Sequence, residues 1–249
     1  MNGIRQEKML AFIEERNVVS IKELQKLFPN VSLMTIHRDL DALVLTGDIV
    51  KVRGGARSVR HTGDLGFDIR IRENNAGKMA IAQKVLPLIQ QGSTVFMDAS
   101  TSNLILARCL PDIHMNIFTT CPNIGIELCR LRNVNITLCC GTINRKNMAL
   151  SGQNTLEMLD KINIDLAIMG VSGCSADSGL TCGTEADMAV KRKVIQKART
   201  SVVLCDQTKF SRLMPYTFAQ FSDIDYLVSD VRVPETIVRA IDASGVELL

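Results

Sequence analysis

The stretch VVSIKELQKLFPNVSLMTIHRDLDALVLTGDIVKVRGGA, residues 18–56, decides the fold of the N-terminal part of this chain. It contains an S-x-x-E capping box that begins at Ser20 and predicts the start of a helix. Ser32 is the next N-cap candidate, for a second helix that runs to about Leu45, with Gly47 placed to terminate it. Two short helices joined by a tight turn indicate a helix-turn-helix.

The second of these helices is expected to lie in the major groove, with its N-terminal side chains on base edges. Its residues Ile36, Leu40 and Leu43 recur at i, i+4 and i+7 and are predicted to face the core. This orientation turns the start of the helix outward. The candidate DNA-binding residues on it are Ser32, Leu33, Thr35, His37 and Arg38.

A hairpin follows this helix, because IVKVRGGARSV reads as two short strands around two glycines. A basic hairpin beside a recognition helix is a wing, whose cations neutralise phosphates and make binding salt-dependent. The candidate DNA contacts on the wing are Lys51, Arg53, Gly54, Gly55 and Arg57. From spacing alone, a three-helix protein-interaction or dimerisation module with solvated charges is the alternative.

A first amphipathic helix, over Ile4–Glu15, is predicted to complete this domain. The residues expected to face inward from it and from the helix after Ser20 are Ile4, Leu10, Phe12, Ile13, Ile21, Leu24, Leu27 and Phe28. Residues 1–60 hold ten Lys and Arg against seven Asp and Glu, and the rest of the chain holds 19 of each sign. The whole net charge of +3 therefore lies in the N-terminal segment, which suits an anionic partner there.

The eight cysteines argue against a metal site and against a disulfide framework. No C-x-x-C pair occurs, and apart from the adjacent Cys139 and Cys140 the cysteines are scattered singly. We expect reduced, mostly buried thiols, a cytoplasmic protein, and neither metal nor cofactor. The N-terminus has no apolar signal core and no run approaches the ~20 apolar residues of a membrane span, so no membrane contact is expected.

Beyond a polar linker at residues 58–66, β-like runs alternate with helical patterns. The predicted strands are Thr94–Met97, Asn116–Thr119, Asn135–Cys139, Asp165–Met169, Ser201–Cys205 and Asp225–Ser229. The predicted helices include Asn75–Gln91, Asn123–Leu131, Glu185–Lys197 and Glu235–Ala243. This order predicts an α/β fold in which a winged helix-turn-helix domain, residues 1–57, precedes a larger α/β domain with a mostly parallel sheet, residues 67–249.

Ligands of such sheets bind beyond the carboxyl ends of the strands. After the first strand comes Asp98-Ala99-Ser100-Thr101-Ser102, whose hydroxyls and backbone N–H groups at a helix N-terminus form a candidate anion site. A plain helix cap is the alternative for this cluster. Lys191 and Lys209 are candidate counter-charges for a phosphate, with a solvated lysine as the alternative for each.

Residues 18–56 resemble the DNA-binding domain of the DeoR family of bacterial regulators. The specific part is S-x-x-T-I-H-R-D-L at Ser32–Leu40, preceded by Arg5 and followed by V-R-G-G-A. Many members have Arg where this chain has His37. The family therefore implies double-stranded operator DNA as a partner, without fixing the operator sequence.

Residues 67–230 resemble the DeoR-family sensor domain, most specifically at Gly179–Arg192 and Asp206–Phe210. That domain is related to ribose-5-phosphate isomerase, glucosamine-6-phosphate deaminase and CoA-transferase folds. The resemblance implies a phosphorylated sugar or sugar-like effector. The residues it implies for effector binding are Asp98, Ser100, Thr101, Ser102, Thr120, Asn123, Gly141, Thr142, Glu185, Lys191, Asp206 and Lys209. Three positions depart from the family pattern: Ser100 for Gly, Thr120 for Asn, and Cys140 for the first Gly of a Gly-Gly pair.

These features favour a transcriptional regulator of a sugar-metabolism operon, most often a repressor in this family, that acts as a homo-oligomer and has no catalytic residues. One alternative is a sugar-phosphate isomerase or deaminase with an appended DNA-binding head. The other is a regulator whose sensor no longer binds ligand, because of the three departures. The sequence leaves open the sugar, the operator, the sign of regulation and the choice between dimer and tetramer.

Overall fold

The structure is a computed structural model that describes residues 2–16, 18–46, 48–52, 54–58, 66–242 and 244–249, excepting the side chains at 2, 3, 45, 50 and 57. The chain forms two compact units, Met1–Glu73 and Asn74–Leu249. Three elements of the sequence analysis lie outside the described residues: Gly47, Arg53 and residues 59–65 of the linker. The boundaries 1–57, 58–66 and 67–249 stay a prediction.

The first unit consists of helices around a small antiparallel sheet. Its helices are α1 (Asn2–Arg16), α2 (Ile21–Leu27), α3 (Leu33–Leu45) and the short α4 (Phe67–Arg70), and its strands are β1 (Val18–Ser20), β2 (Ile49–Val52) and β3 (Gly55–Ser58). The strand order is β1-β3-β2. The predicted capping box is confirmed, since Ser20 Oγ accepts from the backbone N–H of Glu23 and the Glu23 carboxylate accepts from the backbone N–H of Ser20.

The core of this unit contains the predicted side chains of α3, since Ile36, Leu40 and Leu43 are buried together with Met9 and Ile13. The prediction was wrong for Ile4, which is 65% exposed, and for Leu27, which is also exposed. The buried stripe of α1 runs through Met9 and Ile13, and Ile4 lies about 140° round the helix from it. Leu27 is the last residue of α2.

The second unit alternates strands and helices. Its strands are β4 (Thr94–Met97), β5 (Met115–Thr119), β6 (Val134–Leu138), β7 (Thr142–Asn144), β8 (Ala149–Ser151), β9 (Ile164–Gly170), β10 (Gly173–Ser175), β11 (Gly179–Cys182), β12 (Ala198–Leu204), β13 (Tyr216–Ala219), β14 (Tyr226–Val228) and β15 (Glu247–Leu248). Its helices are α5 (Asn75–Val85), α6 (Thr101–Cys109), α7 (Pro122–Leu128), α8 (Gln153–Asp160), α9 (Glu185–Lys197) and α10 (Glu235–Asp242). The predicted helix to Gln91 was too long, because Pro87, which lacks an N–H, lies in a 3₁₀ turn at Leu86–Leu88.

Seven strands form one parallel sheet in the order β15-β14-β12-β9-β4-β5-β6, so the predicted parallel sheet is confirmed. The chain starts this sheet in the middle, at β4, builds outward through β5 and β6, and then returns to β9 on the other side. The carboxyl ends of β4 and β9 therefore mark the switch point of the sheet, the place where parallel sheets of this kind bind ligands. All eight cysteines are free and five are buried, as expected.

Two smaller β-structures were not predicted from the sequence, the β7–β8 hairpin and the sheet β10-β11-β13. Within the described residues, no helix combines the length and the apolar character needed to cross a membrane.

Candidate functional site

The N-terminal end of α3 presents the predicted DNA-binding residues. Ser32 caps the helix by accepting a hydrogen bond from the backbone N–H of Thr35 at 3.2 Å, and the two hydroxyls lie 2.9 Å apart. Leu33, His37 and Arg38 are exposed, and Thr35 is half-buried. The structure thus places all five predicted residues in the N-terminal half of this helix or at its cap, four of them exposed.

One further side chain lies at this end of α3. Met34 is 71% exposed, and it was not among the predicted contacts. The sequence did hold a signal for it. Met34 precedes His37 and Arg38 by three and four residues, which places the three on one helix face.

Helix α3 is fixed to α1 by a buried carboxylate. Asp39 accepts hydrogen bonds from Arg5 Nε at 2.5 Å, Arg5 Nη2 at 3.2 Å and Gln6 Nε2 at 3.0 Å. Burial alone raises the pKa of Asp39, but the hydrogen bonds from Arg5 and Gln6 outweigh it, so the pKa is lowered. The carboxylate therefore stays charged and holds the recognition helix against the first helix.

The predicted wing is the hairpin of β2 and β3. Glycine is needed at positions 54 and 55 for two different reasons. Gly54 has φ +80°, a backbone conformation that favours glycine. A Cβ on Gly55 would lie 2.1 Å from the carbonyl oxygen of Val19, so only glycine lets β1 pair this closely with β3. Lys51 is exposed and forms an ion pair with Asp41. Arg53 and the Arg57 side chain lie outside the described residues.

In the second unit, a network of buried polar groups surrounds Asp98 at the switch point of the sheet. Asp98 Oδ1 accepts from Asn103 Nδ2 at 2.8 Å and from the Ser100 N–H at 3.1 Å. Asp98 Oδ2 accepts from the Gly170 N–H at 3.0 Å and forms an ion pair with Lys191. This single carboxylate connects the loop after β4, the end of β9 and helix α9.

Lys191 lies in the same network. Its Nζ also donates to the Gly170 carbonyl at 2.8 Å and lies 3.9 Å from a carboxylate oxygen of Asp187. Burial alone lowers the pKa of Lys191, but the carboxylates of Asp187 and Asp98 outweigh it, so the pKa is raised. The ammonium remains charged at neutral pH, as a residue that meets an anion must.

A second pair of predicted residues follows the neighbouring strand β12. Asp206 Oδ1 accepts from the N–H of Thr208 at 2.9 Å and from its hydroxyl at 2.6 Å, and Lys209 Nζ lies 3.8 Å from Asp206 Oδ2. Burial alone raises the pKa of Asp206, but Lys209, Thr208 and Lys78 outweigh it and lower the pKa. Since β4, β9 and β12 are adjacent, both carboxylates lie at one edge of the sheet.

The remaining predicted effector residues differ in exposure. Thr101, Ser102 and Thr120 are buried, whereas Asn123 is half-buried. Gly141, Thr142 and Glu185 are exposed. Ser100 caps α6, since its Oγ accepts from the Asn103 N–H at 3.1 Å, which is the cap geometry weighed as the alternative for this loop.

A small cleft lies beside this network, between the β7–β8 hairpin and the start of α9. Its polar lining residues are Thr120, Asn144, Asn147, Ser151, Thr184 and Asp187. Of the predicted effector residues, Thr120 alone lines it. The hairpin brings the two asparagines to the carboxyl edge, and sequence reasoning missed them because this hairpin was not resolved from the sequence.

Two other buried polar residues were missed: Asn103, which donates to Asp98, and Lys78, whose charge helps to lower the pKa of Asp206. Lys78 is 1% exposed, yet it lies on the helix face of the buried Ile81, Ala82 and Val85. A lysine within an apolar stripe of a helix is the sequence signal that could have identified it. The same signal marks Lys191 between the buried Val190 and Val194 of α9.

A winged helix-turn-helix followed by an α/β unit with buried charges at its switch point defines a DNA-binding regulator with a sensor domain. A family model described as the DeoR-like helix-turn-helix domain matches residues 5–62, and one described as the DeoR C terminal sensor domain matches residues 73–231. The chain belongs to the DeoR family of transcriptional regulators.

Two relatives match almost the whole chain. The uncharacterized HTH-type transcriptional regulator YgbI of Escherichia coli (strain K12) is 31% identical over 249 residues, which cover 98% of this chain and 96% of the relative. The HTH-type transcriptional repressor GlcR of Bacillus subtilis (strain 168) is 30% identical over 242 residues, which cover 97% and 93%. Among solved structures, a ribose 5-phosphate isomerase A from Methanocaldococcus jannaschii is 15% identical, with a TM-score of 0.40, over 53% of each chain.

Proposed function

We propose that the chain is a sequence-specific repressor of a sugar-metabolism operon, controlled by a phosphorylated sugar. The observation that carries the proposal is the set of buried charges at the carboxyl edge, on a chain whose other unit is a DNA-binding domain. The name of the relative GlcR as a transcriptional repressor supports the sign of regulation.

The operator contacts are proposed to come from α3 and the wing. Thr35, His37 and Arg38 would face base edges, while Ser32 and Leu33 line the entry of the helix into the groove. Lys51, Arg53 and Arg57 would bind phosphates, with the Gly54-Gly55 turn close to the backbone. Lys51 would exchange its exposed partner Asp41 for a phosphate, which is a small cost for a surface ion pair.

The effector is proposed to bind over the switch point. Its phosphate would be held by Lys191, Lys209 and the hydroxyls of the loop at 100–102, with the loops at Thr120–Asn123 and Gly141-Thr142 closing round the sugar. The buried Asn103 Oδ1 has no hydrogen-bond partner among the described residues, so it offers an acceptor for a sugar hydroxyl. Asp98, Glu185 and Asp206 would position these groups.

We propose further that this domain senses its ligand without converting it. Isomerisation needs a general base free to take a proton. Both oxygens of Asp98 are occupied by Lys191, Asn103 and backbone N–H groups, which hold the side chain in a fixed place and leave neither oxygen free to act as a base. Of the two histidines whose structure is described, His37 is on α3 and His114 precedes β5, at the opposite edge of the sheet.

Because two half-sites need two heads, a dimer or tetramer is proposed, in the cytoplasm, where the eight free thiols stay reduced. Residues 1–57 would then form the DNA-binding head, and residues 67–249 would form the sensor. Effector binding would favour a conformation whose paired heads no longer match the operator.

The test uses the full chain and a duplex from the promoter region of its own gene. Fluorescence anisotropy at about 100 mM salt measures specific binding, alone and with ribose, fructose and glucosamine phosphates. We expect nanomolar-range binding that one sugar phosphate weakens, and a weakening of at least fivefold for Arg38→Ala. Absence of specific binding, with and without every sugar phosphate, contradicts the proposal.

A thermal-shift screen tests the sensor separately, since a ligand at 100 times its Kd adds about 2.7 kcal/mol of stability. Lys209→Met should abolish the shift. Lys193→Met is the matched control, because it is the same substitution at a lysine outside the assigned phosphate site. Lys193 lies on α9 and pairs with Asp160 on the surface. A shift retained in full by Lys209→Met contradicts the assigned phosphate site, and turnover of any of these sugar phosphates contradicts the sensing role.

A further inference from the structure

Two large apolar side chains stand exposed at the start of the recognition helix. Met34 is 71% exposed and Leu33 is 48% exposed. Among the described residues, they are the only consecutive pair of large hydrophobic residues that are both exposed. Single exposed apolar side chains are ordinary, but an adjacent pair at a binding end indicates a surface that is covered in the bound state.

The direction of these two side chains indicates which kind of partner covers them. Side chains on a helix point back toward its N-terminus, so Leu33 and Met34 extend past the capped end of α3 at Ser32. That end enters the major groove first in a helix-turn-helix. The pair would therefore meet the base edges on the groove floor.

The charges at this end fit the same partner. The first turn of α3 has no acidic residue, and Arg38 lies one helical turn after Met34 on the same face. A cation behind an apolar tip suits a groove in which phosphates line the edge and apolar groups lie on the floor. The one apolar group that the bases present in the major groove is the C5-methyl of thymine.

We infer that Leu33 and Met34 read thymine methyl groups, so that each half-site of the operator holds a required thymine next to the base contacts of His37 and Arg38. The inference rests on the proposed sequence-specific DNA binding. It adds the chemical feature that sets the base preference, with Met34, the more exposed of the two, as the main contact.

The experiment begins with selection of duplexes from a random library by the full chain. Each thymine of the enriched duplex is then replaced in turn by deoxyuridine, which removes the methyl group and nothing else. Anisotropy titrations at one fixed salt concentration compare the duplexes. We expect one or two thymines per half-site at which the replacement weakens binding about fourfold, the worth of one buried methyl group.

The variants assign the effect to its residue. Met34→Ala should bind the thymine and deoxyuridine duplexes equally, and Leu33→Ala should reduce the difference between them. Ile4→Ala is the matched control, because Ile4 is 65% exposed on α1 and should leave the fourfold difference unchanged.

The outcomes separate this inference from the proposed function. If no sequence is enriched, sequence-specific binding fails and the inference fails with it. If a sequence is enriched but every deoxyuridine duplex binds within twofold of its parent, DNA binding stands and methyl readout is overturned. A difference that persists in Met34→Ala and Leu33→Ala overturns the assignment to these two residues.

Discussion

Arg5 and Asp39 form a partly buried, bidentate ion pair that joins the first helix to the recognition helix, with Arg5 Nε and Nη2 at 2.5 and 3.2 Å from the two carboxylate oxygens. Replacing Arg5 by Met leaves Asp39 buried without its main partner. We expect a marked loss of stability in this unit, seen as faster hydrogen exchange in α1 and α3 of the full chain. Arg16→Met, which breaks an exposed pair with Glu23, should change exchange far less. Equal effects of the two variants would contradict the role given to Asp39.

The lowered pKa of Asp39 makes the stability of this unit depend on acid. Burial opposes the shift, and the hydrogen bonds from Arg5 and Gln6 produce it. A carboxyl group whose folded pKa lies below its unfolded value of about 3.9 contributes its full stability above that value and loses it as the pH falls toward the folded pKa. Exchange protection of α3 should therefore fall as the pH drops below about 4. Asp39→Asn should be less stable at pH 7 and have a flatter profile, and a profile as steep as that of the unmodified chain argues against this group.

The recognition helix and the parallel sheet could be predicted from the sequence because each has a strong local signal. The cap at Ser32 and the i, i+4, i+7 spacing of Ile36, Leu40 and Leu43 define α3 without any distant contact. Buried strands such as β9 and β12 can also be recognised locally, because strands of a parallel sheet are covered on both faces and therefore form apolar runs. Strand β1 has only three residues, and its pairing with β3 depends on the close approach at Gly55, which sequence spacing does not reveal.

The candidate effector site was predictable in part. Asp98, Asp206 and Lys209 follow strand ends, where the topology of a parallel sheet concentrates them. The partners of Asp98 were not predictable, because Asn103 reaches it from within α6 and Lys191 from 93 residues away. Asn144 and Asn147 depend on a short hairpin folding over the sheet edge, a tertiary event with no local signature.

The adjacent cysteines Cys139 and Cys140, which directly follow β6, should react with thiol reagents at very different rates. Burial raises the pKa of the Cys139 thiol to about 12, with a further contribution from Cys140. At pH 8 only about one in ten thousand Cys139 thiols is ionised, whereas Cys140 is exposed. A thiol-reactive reagent followed by peptide mass spectrometry should label Cys140 and the exposed Cys129 within minutes, and Cys139 only in denaturant. Cys140→Ser should remove the early label at this site, and early labelling of Cys139 would contradict its burial.

The ion pair between Lys191 and Asp98 should be worth far more than a surface pair on the same helix. Lys191 is buried with its carboxylate partner, so Lys191→Met leaves an uncompensated charge and should lower the free energy of unfolding by about 3–5 kcal/mol. Lys193→Met breaks an exposed pair with Asp160 and should cost less than about 1 kcal/mol in the same urea titration. Because Lys191→Met could simply unfold the sensor, the double variant with Asp98→Asn is decisive. Removing both charges should restore much of the loss, and a double variant less stable than Lys191→Met alone would show that the two side chains act separately.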